Sequence, residues 1–421
     1  MSEQQNLPVS VPEFRSGRRE LLSALFSYGL GILYIEGVIK DEPLFLGLFT
    51  AAFAAAVLFH FRESAKGKKE HWIWLGCLLL CLGCSLWGGN RVWGEYTFLF
   101  LHGYAIYWVL AVSGKLTAGE SSAFLPLDAL NGAILLPFAN FFTFFRTRVL
   151  VWGVRRLRER KAADLTRVLA ILLAVAVAAA LFYTAGTLLA AADANFADLL
   201  SRLLPDLRRL SLDGLAFTLI FSLPVGAYLF GLIAGAERLP AERLEMRRSS
   251  ILQMLARLRH VPNGVWIALT SAFAALYLLF FAVQGSYFFG AFVRLLPKEL
   301  TVAEYARQGF FELCRIMVLN FSLLWLIGCS SVRPLREHRC SRLVCTVLLA
   351  ESFLFAVTAL SKLILYIDCF GFTPLRLQSF WLVTVLMAGV LLQTVSLWTG
   401  KRTVKAWIFF TGISLALLHL Y

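Results

Sequence analysis

The residues of this sequence best placed to do chemistry are ionisable side chains set inside long apolar stretches. The stretch 310–329 holds Glu312 and Arg315, three residues apart and so on one helical face, with Ser322 seven residues further along that face. The stretch 343–367 holds Glu351, Thr358 and Lys362 at i, i+7 and i+11, again one face. Glu36 stands near the end of the first apolar stretch. An Arg, Lys or Asp at the centre of a bilayer costs about 2.5–3.5 kcal/mol on insertion scales, so each such group needs a reason to be there. Two reasons compete. The charges either serve a binding or acid–base role, or they pair with one another and snorkel to the surface as structural ties.

Other clusters carry less. Cys77, Cys81 and Cys84 share one face of the stretch 72–87, but no His lies near in that helix and a zinc site wants a fourth ligand, so small-residue packing accounts for them. Cys340 and Cys345 lie by the cytoplasmic face, where thiols stay reduced. His60, His71, His102, His260, His338 and His419 show no ligand spacing. There is no Walker loop, dinucleotide fingerprint, nucleophile elbow or metalloprotease motif. The sequence therefore calls for no metal and no cofactor, and offers no catalytic set.

The elements that must position these charges are membrane spans. The chain is 59% hydrophobic and 16% charged, with a mean hydropathy of +0.72. A soluble domain carries about 45–50% apolar and about 25% charged residues. Eleven segments are long enough to cross about 30 Å of hydrocarbon: 21–39, 44–61, 72–87, 96–112, 168–190, 215–235, 265–284, 310–329, 343–367, 380–398 and 406–421. The fold class expected is an all-α polytopic transmembrane bundle of one integral domain, after a polar cytoplasmic tail at 1–20.

Charge sets the orientation. With the N-terminus inside, 29 of the 40 Lys and Arg fall in inner segments, nine in outer ones, and only Arg315 and Lys362 within spans. An odd span count then leaves the C-terminus outside. The net charge of +14 sits in short loops, not on a continuous basic face, which argues against a nucleic-acid partner and for membrane lipids. Residues 129–161 form the main ambiguity. They are Phe-rich up to Phe145, broken by Pro137, then strongly basic from Arg146. This pattern predicts an inner-face interfacial or re-entrant segment at 129–152. Amphipathic stretches at 196–210 and 237–259 are expected to lie on the outer and inner faces. Gly29, Gly31 and Gly37 predict close packing of the first span.

Three segments carry a resemblance: LLAAADANFADLL at 188–200, EYARQGFFEL at 304–313 and YIDCFGFTPLRL at 366–377. Together they resemble a large bacterial integral-membrane family known as a domain of unknown function, of the four-one-five-three and four-one-seven-three types. Phe372 stands where that pattern has Leu. The resemblance covers 165–398, and the first four spans match only in being apolar. It implies a polytopic protein of the bacterial cytoplasmic membrane, with no established reaction.

On the charge-derived topology all three segments fall at the outer face. Glu304, Arg307, Glu312, Arg315, Lys362, Asp368 and Arg376 are then expected to converge at the outer ends of the eighth and ninth spans. Four basic groups against three acidic ones leave room for an anionic or amphiphilic small molecule. The reading that follows is a transporter or lipid-handling protein. The alternatives are an enzyme on a lipid-linked substrate, with Glu304, Glu312 or Asp368 as acid or base, and a non-catalytic sensor or assembly partner. In the competing structural reading Asp368 caps a helix end and Thr373-Pro374 forms a turn.

Overall fold

The computed structural model describes residues 18–67, 69–87, 93–94, 96–152, 214–293 and 309–420. The expected span 168–190, the amphipathic stretch 196–210, and Glu304 and Arg307 lie outside the described residues. The chain divides into two units: Met1–Lys68 with Asp128–Pro240, and Lys69–Leu127 with Ala241–Tyr421. Among the described residues nine helices are long and apolar enough to cross a membrane, and Glu70–Leu86 and Val404–Leu420 are shorter apolar helices. Described backbone outside helices is confined to short connections, with one isolated bridge between Val261 and Ser331.

The first unit contains α1 (Arg18–Tyr34, continued by a π-helical turn Ile35–Ile39), α2 (Pro43–His60), α3 (Arg62–Ala65), α7 (Leu136–Trp152) and α8 (Gly214–Arg238). The short α6 (Leu125–Leu130) and a second π-helical turn, Asn131–Leu135, lead into α7. Missing side chains hold this unit together. A Cβ on Gly31 would strike the Ser222 carbonyl, and one on Gly226 would come within 2.9 Å of the Ser27 carbonyl, so α1 and α8 touch backbone to backbone. Gly231 against Pro137, and Gly235 against Leu136 and Asn140, do the same for α8 and α7. Lipid tails are as apolar as leucine, so close packing of this kind supplies the attraction that hydrophobicity cannot. Gly37 packs on Phe45 and Leu46 as expected, whereas a Cβ on Gly29 would meet no atom within 4 Å among the described residues.

The contacts also fix direction. Thr218 donates to Glu36 at 2.5 Å, and His60 meets Glu237 at 2.8 Å. Helix α8 therefore runs antiparallel to α1, and Arg18, Arg19, Arg62 and Arg238 share one end. The segment 129–152 runs lengthwise beside α8: Tyr228 donates to the Ala133 carbonyl at 2.9 Å, and Phe144 packs on Phe230. It closes on the same basic end with Arg146 and Arg148. By length and apolarity Leu125–Phe145 is one of the nine candidate spans.

The second unit contains α4 (Glu70–Leu86), α5 (Tyr96–Ser113), α9 (Ala241–Arg257), α10 (Asn263–Val293), α11 (Phe310–Ser330), α12 (Arg339–Phe370), α13 (Pro374–Thr399) and α14 (Val404–Leu417). Helix α12 is the centre, with α10, α11 and α13 packed around it. The connections the charge pattern assigns to one side do gather at one end. Val261 bonds to Ser330 and Val332, Asn263 bonds to Arg333 and Ser341, Arg342 lies over the Trp398 ring, and Gly400 touches Arg336. Helix α9 is amphipathic and buries only Leu244, while Met246, Leu252 and Met254 stay exposed beside its arginines. That is the surface an interfacial helix presents.

Candidate functional site

The two charged stripes have different fates. On α12 the stripe is buried: Glu351 is 3% exposed, Thr358 6% and Lys362 1%. On α11 the stripe faces outward. Arg315 and Glu312 are exposed and pair with each other at 3.9 Å, and Ser322 is exposed and bonds back to the Val318 carbonyl. The two stripes therefore do not face each other, because α11 packs on α12 through Leu313, Cys314, Met317 and Asn320 instead.

Lys362 nevertheless reaches the start of α11. Its ammonium lies 3.8 Å from where a Cβ on Gly309 would stand, and Glu312, one turn in, is close enough to act on it electrostatically. Gly309 has a φ of +80°, a backbone conformation that favours glycine and leaves the space that the lysine uses.

Arg376 is engaged elsewhere. Its Nη1 donates to the Phe370 carbonyl at 2.8 Å and also to the Gly371 carbonyl, and its guanidinium lies 4.2 Å over the Tyr366 ring. Gly371 ends α12 at φ 78° and ψ 179°, and Thr373 caps α13, accepting from the Arg376 amide ahead of Pro374. The segment YIDCFGFTPLRL is thus a helix–turn–helix corner in which Tyr366, Gly371, Thr373, Pro374 and Arg376 each have a structural task. Asp368 is exposed on the last turn of α12. Of the five described candidates, Glu312 pairs with Arg315 and acts on Lys362, whereas Arg376 and Asp368 belong to the corner.

The structure adds polar groups that the charge pattern did not single out. Tyr277 on α10 donates to Asn320 Oδ1 at 2.9 Å, Asn320 Nδ2 donates to Ser352 Oγ at 2.9 Å, and Ser352 donates to the Leu348 carbonyl at 2.8 Å. This chain ties α10, α11 and α12 together beside Glu351. An Asn in the middle of an apolar span was the available signal, since a buried amide must find partners. Above this layer Phe355 packs on Tyr277 and Phe281 and separates it from Lys362.

A second polar knot lies at the basic end, just outside the apolar stretches of α4 and α14. Glu70 accepts from the Ser121 amide at 2.9 Å and from the Ser121 hydroxyl. It also meets Lys405 at 3.1 Å, and Lys405 meets Glu120 at 2.6 Å. Burial alone would raise the Glu70 carboxyl, but the hydrogen bonds from Ser121 and Lys405 more than offset it and hold it below the usual range. Cys77, Cys81 and Cys84 are all buried, with Cys81 3.7 Å from His419. Among the described residues no group of three or more His, Cys, Asp or Glu is placed to hold a metal ion.

Nine helices long and apolar enough to cross a membrane among the described residues, with the amphipathic α9 beside them, define a polytopic α-helical membrane protein. The chain belongs to the family described as Domain of unknown function (DUF4153), whose model matches residues 21–421. The match extends over the first four spans, which the three segments alone did not reach. No curated protein and no solved structure matches the chain.

Proposed function

We propose that the protein lies in the bacterial cytoplasmic membrane with its N-terminus inside, and transports or otherwise handles an amphiphile that carries an anionic group. The bound group sits near the outer leaflet beside Lys362. The observation that supports this reading is the Lys362 ammonium, buried within the second unit next to Gly309 and within reach of Glu312. A cation kept at such a place at a cost of several kcal/mol suits a site that recognises negative charge. Glu304 and Arg307, a few residues before α11, are the nearest candidates in sequence to complete it.

The test is retention of phosphatidylglycerol against zwitterionic phosphatidylcholine by the purified full chain, read by native mass spectrometry. Lys362→Gln is expected to weaken phosphatidylglycerol binding about ten-fold, or about 1.4 kcal/mol, with phosphatidylcholine unchanged and Lys362→Arg close to wild type. Equal retention by all three proteins overturns the reading. Orientation is tested separately by thiol labelling of Ser10→Cys, Ser122→Cys and Leu420→Cys. The first two are expected to label from the inside and the third from the outside. Labelling of Ser122→Cys from the outside would make Leu125–Phe145 a crossing helix in place of an interfacial or re-entrant one.

A further inference from the structure

We propose that Glu351 is a proton-binding site in the membrane core, distinct from the Lys362 site and independent of it. Glu351 lies 12 residues into α12 and 19 residues before its end, so about 18 Å and about 28 Å from the two termini of the helix. It is 3% exposed, and among the described residues neither carboxyl oxygen has a hydrogen-bond partner.

An ionised carboxylate at this position needs a cation or several donors. Among the described residues the surroundings supply neither. On α10 the one ionisable side chain among those described is Tyr277. On α11 Glu312 and Arg315 lie at the outer end, eight and five residues from the Asn320 level, and Cys314 and Cys329 carry no charge to offer. On α13 there is no ionisable side chain from Leu377 to Thr399. On α12 itself Arg342 is nine residues back, about 13 Å along the axis, with its guanidinium over the Trp398 ring; Lys362 is eleven residues on, about 16 Å, beyond the Phe355 layer; and Cys345 can supply no cation.

The donors nearby are already committed. The Tyr277 hydroxyl proton goes to Asn320 and the Ser352 hydroxyl proton to Leu348. Among the described residues no cation and no uncommitted donor meets the carboxyl, and going without partners costs a neutral acid far less than an anion. The shell therefore suits –COOH better than –COO⁻.

A route for that proton leads toward the basic end. Six to ten residues nearer that end on the same three helices, Thr270, Ile327, Ser341 and Cys345 line a narrow crevice. In this conformation it is too thin to hold a water molecule and Glu351 is not among its lining residues, so the proton can leave only when the helices part. On opening, the acid O–H breaks, its proton passes to water entering from the basic end, and the carboxylate remains. No electron is transferred.

The experiment is infrared spectroscopy of the full chain in lipid nanodiscs at pH 7. The expected result is a C=O stretch of a protonated carboxylic acid that is lost in Glu351→Gln and kept in Glu312→Gln. Transfer to D₂O should shift this band as O–H becomes O–D. Filling the crevice with Cys345→Leu should slow the exchange about ten-fold or more. Absence of the band, or its survival in Glu351→Gln, overturns the proposal. A band that belongs to Glu351 but never exchanges also overturns it, since the group would then be a fixed structural acid. If Glu351→Gln does not fold, Glu351→Leu replaces it. That variant removes the acid without adding a polar group, so the band must be lost, and its survival counts against the assignment. Loss of lipid retention in Lys362→Gln leaves these readouts unchanged, so the two readings fail separately.

Discussion

Two glutamates of the second unit, Glu70 and Glu351, are both largely withdrawn from water, and their surroundings are opposites. Glu70 sits at the polar end of α4 with an amide, a hydroxyl and an ammonium directed at it. Glu351 sits mid-helix beside the Tyr277–Asn320–Ser352 chain, whose donors are committed elsewhere, with no hydrogen-bond partner among the described residues. The first is what a charge needs in order to be structural, because its desolvation is offset by three donors. The second has no structural offset, and an unpaired intramembrane acid is by default a functional group. The same residue type thus marks a joint in one place and a working site in the other, and its partners, not its burial, tell the two apart.

The largest effect expected from breaking this contrast falls on Glu70. Glu70→Ala strands Lys405 and leaves the Ser121 amide and hydroxyl without their acceptor, so unfolding in detergent should become easier by about 3 kcal/mol. The pH dependence has a definite sign. The folded Glu70 carboxyl is held below the usual glutamate range, so its stabilisation is fully present above that range and is lost as pH falls through the folded value. Wild-type melting temperature should therefore drop below about pH 4.5 more steeply than that of Glu70→Gln. Parallel acid profiles for the two proteins would show that the knot does not stabilise the fold.

Glu351→Leu should act in the opposite direction. Replacing an unpartnered buried acid with an apolar side chain of similar size is expected to raise stability by about 1–2 kcal/mol, measured by the same unfolding assay. A loss of 2 kcal/mol or more would mean that Glu351 has a structural partner after all and that the contrast with Glu70 is false.

Asn320→Leu comes next in size. It removes the centre of the chain from Tyr277 to Ser352 and leaves the Tyr277 hydroxyl proton without an acceptor. The expected loss is about 1–2 kcal/mol, within the range of interhelical hydrogen bonds in membranes. Asn320→Asp is expected to retain more of this, since it keeps the acceptor for Tyr277.

Much of this molecule was legible in the sequence, because the bilayer imposes length and apolarity on every span and charge on every inner loop. The gathering of 257–263, 333–342 and 398–402 at one end follows the Lys and Arg alternation directly. The site was legible only in part. Glu351 and Lys362 stand out as charges in an apolar run, but which face of α11 meets them depends on packing, and Leu313, Met317 and Asn320 took that face while Glu312 and Arg315 turned outward. The Tyr277–Asn320–Ser352 chain was hidden for a related reason: neutral polar residues do not disturb hydropathy, so their register across three helices cannot be read from any one of them. Glu70 and Lys405 are 335 positions apart in the sequence, and no local spacing relates them.

The smallest expected effect separates the corner from the site. Arg376 was a candidate ligand-binding residue on charge and depth alone. In the structure its guanidinium covers Tyr366 and donates to two carbonyls at the end of α12. A lysine keeps the charge but cannot stack as a plane or hold both carbonyls at once. Arg376→Lys should therefore cost about 1 kcal/mol of stability, the sum of a half-exposed cation–π contact and weakened capping, while leaving phosphatidylglycerol retention at the wild-type level. The opposite pattern, unchanged unfolding with weakened retention, would return Arg376 to the anion site. Then the corner would be the outer wall of that site, and the glycine and proline of YIDCFGFTPLRL would matter for aiming the arginine as much as for turning the chain.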